Sequence, residues 1–284
     1  MNTLPSGLYL VSTPIGNARD ITLRALDVLK EAEMLIAEDT RTLKRLLTIH
    51  AISRPLGDIM SYHDFSKPKR FESIMRSLEA GKSMALVSEA GTPLVSDPGF
   101  KLVKGAIEKE INIIPVPGPS AMLAALTISG IEPDRFVYLG FLPQARGARK
   151  KVLEEYRFVQ ATLIVFESPN RLESSLADMQ VVLGKERMAS ICREMTKRFE
   201  EVKRGSLGDL KKHFMQEKVK GEMVIVIERD RTGKPEIDIT DLLSQALRNK
   251  SVKDAVSEIS GMFNLPRKEV YSLALKLSAN QENK

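Results

Sequence analysis

The stretch MALVSEAGTPLVSDPGFKLVK, residues 84–104, decides how the first half of the chain is read. Met84-Ala85-Leu86-Val87 is a short, unbroken apolar run, the pattern of a strand covered on both faces. Ser88-Glu89-Ala90-Gly91-Thr92-Pro93 interrupts it with small, turn-forming residues. Ser96-Asp97-Pro98 then predicts a helix start, a capping side chain ahead of a proline at the first helical position. Phe100, Val103 and Ile107 follow at helical spacing. Strand, tight loop and helix in that order place the loop at the carboxyl end of a strand, where open α/β sheets bind ligands. Turns of this kind also occur where nothing binds, so on its own the segment leaves both readings open.

Outward from this segment the pattern repeats. Leu8 to Val11 reads as a strand ending in Ser12-Thr13-Pro14-Ile15-Gly16-Asn17, and Asp20 is the expected cap of a helix presenting Ile21, Ala25, Val28 and Leu29. Met34 to Ala37 is a second strand, delivering Glu38, Asp39 and Arg41 at its end. A short strand over Ile59 to Tyr62 leads into His63-Asp64, and Phe71, Ile74, Met75 and Leu78 mark an amphipathic helix. Ile111 to Val116 is another strand, followed by Pro117-Gly118-Pro119-Ser120 and a small-residue helix over Ala121 to Ser129. This alternation predicts a largely parallel, helix-covered sheet.

Glu132-Pro133-Asp134 reads as a boundary. Beyond it come strands over Phe136 to Phe141, Thr162 to Phe166, Met188 to Cys192 and Met223 to Ile227, with a helix presenting Leu172, Leu176, Met179 and Leu183. The basic run Arg146-Gly147-Ala148-Arg149-Lys150-Lys151 follows a strand and Pro143, and is expected to stand out as a mobile arm. Arg229 to Glu236 is polar and turn-rich, a predicted linker. The tail then predicts two helices around a turn at Gly261 to Pro266, the first capped by Ser251 with Asp254. The predicted fold class is α/β: two α/β domains, 1–117 and 118–230, with a cleft between them, and a small helical extension, 237–284.

Composition bounds the function classes. A chain of 284 residues, 43% hydrophobic and 28% charged, is long enough for two domains with ordinary cores. One cysteine, Cys192, excludes an internal disulfide framework and a multi-cysteine zinc site, and fits a cytoplasmic setting. No run approaches the roughly 20 apolar residues of a membrane span, and the short, uncharged start does not resemble a signal peptide. A net charge of +6 permits an anionic partner. The spaced-glycine dinucleotide fingerprint, the phosphate loop ending in Gly-Lys-Ser/Thr and the Gly-x-Ser-x-Gly elbow are all absent. His50, His63 and His213 are scattered, so no metal site is expected.

What remains is a set of small-residue loops at strand ends, and these carry a resemblance. STPIGNARDIT (12–22), AEDTR (37–41), LVSEAGTPLVSDPG (86–99), PVPGPSA (115–121), FESPNRL (166–172), REMTK (193–197) and GEMVIV (221–226) resemble, in this order, the ribosomal small-subunit RNA ribose methyltransferase I family of the tetrapyrrole-methylase fold class. The match runs from about Gly7 to Ile227, and the tail resembles the family's helical extension. The resemblance implies S-adenosyl-L-methionine as methyl donor and the 2′-hydroxyl of a cytidine in the decoding region of 16S ribosomal RNA, within the small subunit, as acceptor. It also implies a homodimer. By similarity, Thr13, Pro14 and Ile15 line one side of the cofactor; Ser88, Ala90, Gly91, Thr92 and Val95 form the second loop; Ser120 and Ala121 the third; Phe166 and Met223 cover the adenosyl group. Glu89 departs from the family, which more often has aspartate there.

Methyl transfer from an activated donor needs alignment and, for a hydroxyl acceptor, a base. Glu167, Glu194 and Lys197 are the candidates, with Asp39 and Asp97 behind them. Arg41, Arg171 and Arg193, with Arg146, Arg149, Lys150 and Lys151, are candidate RNA contacts, although each can equally pair with a neighbouring acid. Two other functions stay open: a methyltransferase acting on a tetrapyrrole-like small molecule, and a non-catalytic ribosome-binding protein on the same scaffold.

Overall fold

A computed structural model describes residues 4–63, 66–215, 220–232, 239–263 and 266–282. The chain divides into two compact units, Met1–Arg231 and Thr232–Lys284.

In the larger unit, the apolar runs of the first half become β1 (Gly7–Val11), β2 (Met34–Ala37), β3 (Ile59–Ser61), β4 (Ser83–Val87) and β5 (Ile113–Val116), joined in the order β3-β2-β4-β1-β5 with every pairing parallel. Between them lie α1 (Leu23–Glu31), α2 (Thr40–Ile49), α3 (Pro68–Glu79) and α4 (Phe100–Glu108). Alternate strand residues feed two cores. Tyr9, Val11, Leu35, Ala37, Ala85 and Val87 pack with Ala25, Val28 and Leu29 of α1 and Leu43 and Leu47 of α2. Leu8, Ile36, Met84 and Leu86 pack with Ile74, Met75 and Leu78 of α3 and Leu102 and Ala106 of α4. Burial on both faces explains why these strands read as unbroken apolar runs. Because all are parallel, their carboxyl ends and the following loops share one edge.

The rest of this unit holds α5 (Ala121–Ser129), β6 (Phe136–Phe141), α6 (Arg146–Glu155), β7 (Thr162–Glu167), α7 (Leu172–Leu183), β8 (Met188–Arg193), β9 (Glu201–Ser206), α8 (Leu207–Phe214) and β10 (Met223–Ile227). The sheet order is β6-β7-β10-β8-β9, parallel only between β6 and β7. One face packs on α6, α7 and α8. The other meets α5 and also takes in Ile15 from the loop after β1.

Several expectations about local structure are corrected. Thr22, not Asp20, caps α1, its hydroxyl accepting from the Ala25 N–H at 3.1 Å, and Ile21 precedes the helix. Asp97 does not cap α4: its carboxylate is taken by the Ser88 hydroxyl, and the helix begins beyond Gly99, whose φ of +121° favours glycine. Phe100 and Ile107 are exposed, and Leu102, Gly105 and Ala106 make the buried face of α4. The boundary expected at Glu132-Pro133-Asp134 is tied down by Arg229, which pairs with Glu132 at 2.9 Å and with Asp134. Arg229 and Asp230 therefore belong to the packed unit, Asp230 pairing with Arg187 at 3.7 Å, and 233–236 of the predicted linker lie outside the described residues, as does Asp64.

The basic run is not an arm. It opens α6, and Arg149 is only 4% exposed. Arg149 donates to Asp178 of α7 from Nη2 at 2.6 Å and Nε at 2.9 Å, Arg146 Nε adds a bond at 3.1 Å, and Lys150 Nζ stands 4.0 Å away. Burial alone raises the pKa of Asp178, but the hydrogen bonds from Arg149 and Arg146 outweigh it and hold the carboxyl below its ordinary value.

Among its described residues the smaller unit has three helices rather than two: α9 (Thr240–Asn249), α10 (Val252–Phe263) and α11 (Arg267–Glu282). Ile239, Leu243, Ala255, Val256, Ile259, Val270 and Ala274 form its core. The expected cap is present, with Ser251 Oγ accepting from the Asp254 N–H at 3.2 Å and donating to its carboxylate at 2.6 Å. The predicted turn starts later than Gly261, since α10 runs to Phe263. Among the described residues, no helix is long and apolar enough to cross a membrane.

Arg149→Ala leaves Asp178 buried with weaker partners and should destabilise the larger unit by roughly 3 kcal/mol in urea unfolding. Exposed Lys151→Ala should fall within about 0.5 kcal/mol of wild type. The Asp178 contribution should be complete above the unfolded-state pKa of an aspartate and be lost as pH falls through its depressed folded value.

Candidate active site

Three loops at the carboxyl edge of the first sheet are stitched together by backbone. After β1, Thr13 N–H donates to the Gly91 carbonyl at 2.9 Å and Gly91 N–H returns to Thr13 at 3.0 Å, an antiparallel bridge between the β1 and β4 loops. The Thr13 hydroxyl adds a bond to the Ser88 carbonyl at 3.1 Å. Thr92 Oγ1 donates to the Pro119 carbonyl at 3.1 Å, bringing in the β5 loop. Gly91 sits at φ +80°, and a Cβ built there would lie 3.4 Å from Ile15 Cγ2, so its requirement is conformational rather than spatial.

Facing these loops is the edge of the second sheet. Together they enclose a cleft of about 300 Å³ lined by Ile15, Ala90, Val95, Ser96, Asp97 and Ala121 from one side and by Phe141, Phe166, Glu167, Ser168, Pro169, Met195, Gly221, Glu222, Met223 and Val224 from the other. The register slips between Tyr138 and Phe141, where Gly140 has φ +62°, and this irregularity turns Phe141 outward. Phe141 is 55% exposed and meets Phe166 edge-on at 5.7 Å, while Tyr138 meets the same ring at 5.0 Å. Leu94, Ser96, Glu194 and Thr196, all non-glycine, have positive φ. Such conformations cost roughly 1–3 kcal/mol each and persist only where the surroundings enforce them. Ser96 Oγ is held to the Tyr138 hydroxyl at 2.7 Å, across the cleft.

The residues expected from the sequence divide by position. Ile15, Ala90, Val95, Ala121, Phe166 and Met223 line the cleft. Thr13, Ser88, Gly91 and Thr92 hold the loops in shape behind it, and Pro14 and Ser120 flank them. Glu167, a base candidate from the sequence, lines it too, but is engaged structurally. It ends β7 at 2% exposure, accepts the Ser175 hydroxyl and the Ser168 N–H (2.8 Å), and pairs with Arg171 at 3.4 Å. Arg171 Nη2 in turn donates to the Leu142 carbonyl at 2.5 Å. Glu194 and Lys197 stand at the rim: Lys197 Nζ donates to Glu194 at 3.0 Å and to Glu222 at 2.9 Å. Arg193 pairs with Glu201 at 2.7 Å, and Arg41, its side chain 89% exposed, folds back on Asp39 at 2.8 Å. Asp97 was expected as a reserve base and Gly221-Glu222 as part of the GEMVIV loop, whereas Ser96, Phe141 and Met195 were not singled out for the cleft. The strained loop and the strand irregularity that bring them there leave little trace in residue spacing.

The rim is acidic. The pKa of Glu89 is raised by burial first and then by Glu38, Asp39, Asp97 and Glu222. That of Asp97 is raised by burial, against the Ser88 hydrogen bond, with Glu38 adding to it. Two acids go the other way: Asp39 is pulled down to about 2 by the Arg41 hydrogen bonds, and Glu194, which burial alone would raise, is held below its ordinary value by the Glu222 N–H and Lys197. For Lys197, burial lowers the pKa but the bonds to Glu222 and Glu194 more than reverse this and keep it charged. Among the described residues, no group of histidine, cysteine and carboxylate side chains is placed to hold a metal ion.

Comparison with known proteins gives three findings. The family profile of tetrapyrrole (corrin/porphyrin) methylases matches residues 7–211, and that of the RsmI C-terminal HTH domain matches residues 234–278. A ribosomal RNA small subunit methyltransferase I of Mesorhizobium japonicum is 44% identical, covering 96% of this chain and 93% of its own, and one of Halalkalibacterium halodurans is 40% identical over 94% and 93%. Among solved structures, uroporphyrin-III C-methyltransferase from Thermus thermophilus, complexed with S-adenyl homocysteine, shares the fold with a TM-score of 0.55 at 18% identity, covering 78% of this chain and 97% of that one.

Glu167→Ala removes the anion that Arg171, Ser168 and Ser175 share. It should cost roughly 3 kcal/mol of stability, read by urea unfolding, because the half-buried Arg171 and the buried Ser175 hydroxyl lose their shared acceptor. A catalytic role alone would leave unfolding unchanged.

Proposed function

From a chain that belongs to the tetrapyrrole methylase family, and within it to the ribosomal RNA small subunit methyltransferase I proteins, we propose an enzyme that moves a methyl group from S-adenosyl-L-methionine to ribosomal RNA. The finer reading is transfer to the ribose 2′-hydroxyl of a cytidine in the decoding region of 16S ribosomal RNA, on the small subunit, by a cytoplasmic homodimer. The same reading takes 1–117 and 118–230 as the two domains facing the cleft and 237–284 as the helical extension.

The observation that carries it is the cleft itself: apolar walls from Ile15, Val95, Phe166 and Met223, an irregular backbone at Gly91, and carboxylates at the rim with no arginine in the lining. These features fit a neutral adenosyl group and a positively charged sulfonium. They do not fit a cofactor bearing phosphates, which needs cations or a run of free backbone amides. Ala90, Val95 and Ala121 would hold the ligand on one side and Phe166 and Met223 on the other. The sulfonium makes the methyl carbon reactive, so the protein's work is to align the acceptor, exclude water and handle its proton.

The acidic rim also weighs against the tetrapyrrole-like acceptor, because Glu89 and Asp97 would meet any carboxylate carried by such a ring with repulsion. RNA phosphates are disfavoured there as well, so the backbone is held elsewhere. Arg41 is the most exposed of the candidate arginines; Arg149 is withdrawn from that role by Asp178, and Arg146 is partly engaged there.

Labelled methyl donor supplied with small-subunit particles, or with naked 16S RNA, should yield a single 2′-O-methylcytidine in nuclease digests. Label on a base, or none in RNA, rules the reading out. Calorimetry should give one S-adenosylmethionine per chain. Gly91→Val should sharply weaken that binding while the protein stays folded, because a β-branched residue resists φ near +80°. Arg41→Ala should lower the salt slope of RNA binding by about 0.7–0.9 and leave cofactor affinity unchanged.

A further inference from the structure

We propose that a notch in the smaller unit holds the phosphodiester backbone of the RNA substrate, with Tyr271 stacking on a neighbouring unpaired base, an assignment that rests on the RNA-methylation reading above. The notch lies between α10 and α11 and measures about 360 Å³. Lys253 and Ser257 line it from α10, and Arg267, Lys268 and Tyr271 from α11. Val256, the buried member of the lining at 5% exposure, belongs to the core that also contains Val270 and Ala274 of α11. The two helices that carry the polar groups are therefore fixed against each other.

Helical spacing gathers these side chains. Lys253 and Ser257 are one turn apart on α10, and Tyr271 follows Lys268 and Arg267 by three and four residues on one face of α11. Arg267 Nη2 donates to Ser257 Oγ at 2.8 Å, a bond that spans the notch and orients the guanidinium. Beyond that bond, among the described residues, Lys253, Arg267 and Lys268 have neither a hydrogen-bond nor an ion-pair partner. Charge nearby is used up: Lys250 meets Glu258 at 2.7 Å. One acid, Asp254, lines the notch, and its carboxylate accepts the Ser251 hydroxyl at 2.6 Å as part of the α10 cap. Three cations against one engaged carboxylate leave the notch positive, the reverse of the acidic cleft.

A phosphodiester presents one negative charge and acceptor oxygens, which a guanidinium meets with paired N–H donors and lysines meet as point charges. Tyr271 is 48% exposed. A half-exposed ring beside cations is the combination that holds single-stranded nucleic acid, since charge follows the backbone and the ring takes the face of any base. An acidic peptide would satisfy the cations but give the ring no planar partner, so RNA is the better fit. Contacts made equally before and during methyl transfer lower KM and leave kcat alone.

The test compares the full chain as wild type, the triple variant Lys253→Ala with Arg267→Ala and Lys268→Ala, Tyr271→Ala, Tyr271→Phe, and Lys276→Ala, which removes an exposed cation of α11 outside the notch. All five positions are exposed and alanine favours helix, so urea unfolding should match wild type. Binding to naked 16S RNA is measured across salt concentrations, and turnover on small-subunit particles. The triple variant should weaken RNA binding and raise KM by about tenfold or more. Its salt slope should fall by about 2–3. S-adenosylmethionine affinity and kcat should be kept. Tyr271→Ala should weaken RNA binding by about tenfold, and Tyr271→Phe should restore it. Lys276→Ala should stay near wild type. A triple variant that keeps wild-type RNA binding and salt slope overturns the assignment, as does a Lys276→Ala loss equal to that per notch cation. A Tyr271→Phe variant as weak as Tyr271→Ala overturns the stacking contact. A defect confined to particles, with naked RNA bound normally, gives the notch to a ribosomal protein and also overturns it. These outcomes, with wild type still labelling RNA, leave the proposed function standing; a wild type that labels no RNA overturns that function and the notch with it.

Discussion

The reciprocal backbone bridge between Thr13 and Gly91 is the contact on which the cleft depends. Parallel strands cannot bond past their ends without some such device, since each loop leaves toward its own helix. Here β1 and β4 are neighbours, and the bridge extends their pairing by one antiparallel step across two loops. It fixes Ile15 on the near side, where that side chain enters the apolar core of the second sheet, and Ala90 on the far side, where it lines the cavity. Gly91 can close the bridge because φ +80° costs it little. A substitution there acts through the backbone and so is felt by both halves.

Charge in the larger unit is used mostly for construction. Arg149 and Asp178 join α6 to α7, Arg171 and Glu167 join α7 to β7, and Arg229 closes on Glu132 and Asp134. In each case a planar guanidinium answers a carboxylate and, for Arg149 and Arg171, backbone carbonyls as well. Asp178, Glu167 and Arg149 are buried in these contacts, while Glu132 and Asp134 stay exposed at the surface. Asp97 and Glu89, at the rim, are the carboxylates whose pKa is pushed up rather than down.

The inner strands of the first sheet, β1, β2 and β4, were legible because burial on both faces writes itself as uninterrupted apolar residues, and Met223–Ile227 shows the same signature. β9 was not legible: Glu201, Lys203 and Arg204 make it a charged edge strand, a common guard against further pairing. The basic run misled for a related reason. Cations at successive positions look solvated, and nothing local shows that Asp178, on another helix, will turn Arg149 inward. In the site, the small-residue loops were visible, Gly221 among them, whereas the places of Ser96 and Phe141 depend on a positive-φ turn and a slipped register. Those are properties of the folded backbone, and Ser96-Asp97-Pro98 looked more like a helix cap than like part of a cavity wall.

The position of β10 has a consequence for the order in which this unit can be assembled. It is the last strand of the unit to leave the ribosome, yet it lies at the middle of its sheet, bonded to β7 on one side and β8 on the other. Those two strands are not bonded to each other, so until Met223–Ile227 arrives they are separated by a slot about two strand spacings wide, near 10 Å. The same strand supplies Met223 and Val224 to the cleft wall. A nascent chain that stops before Met223 therefore has a half-zipped sheet and an open-sided cavity. Closure of the cleft therefore coincides with completion of the unit.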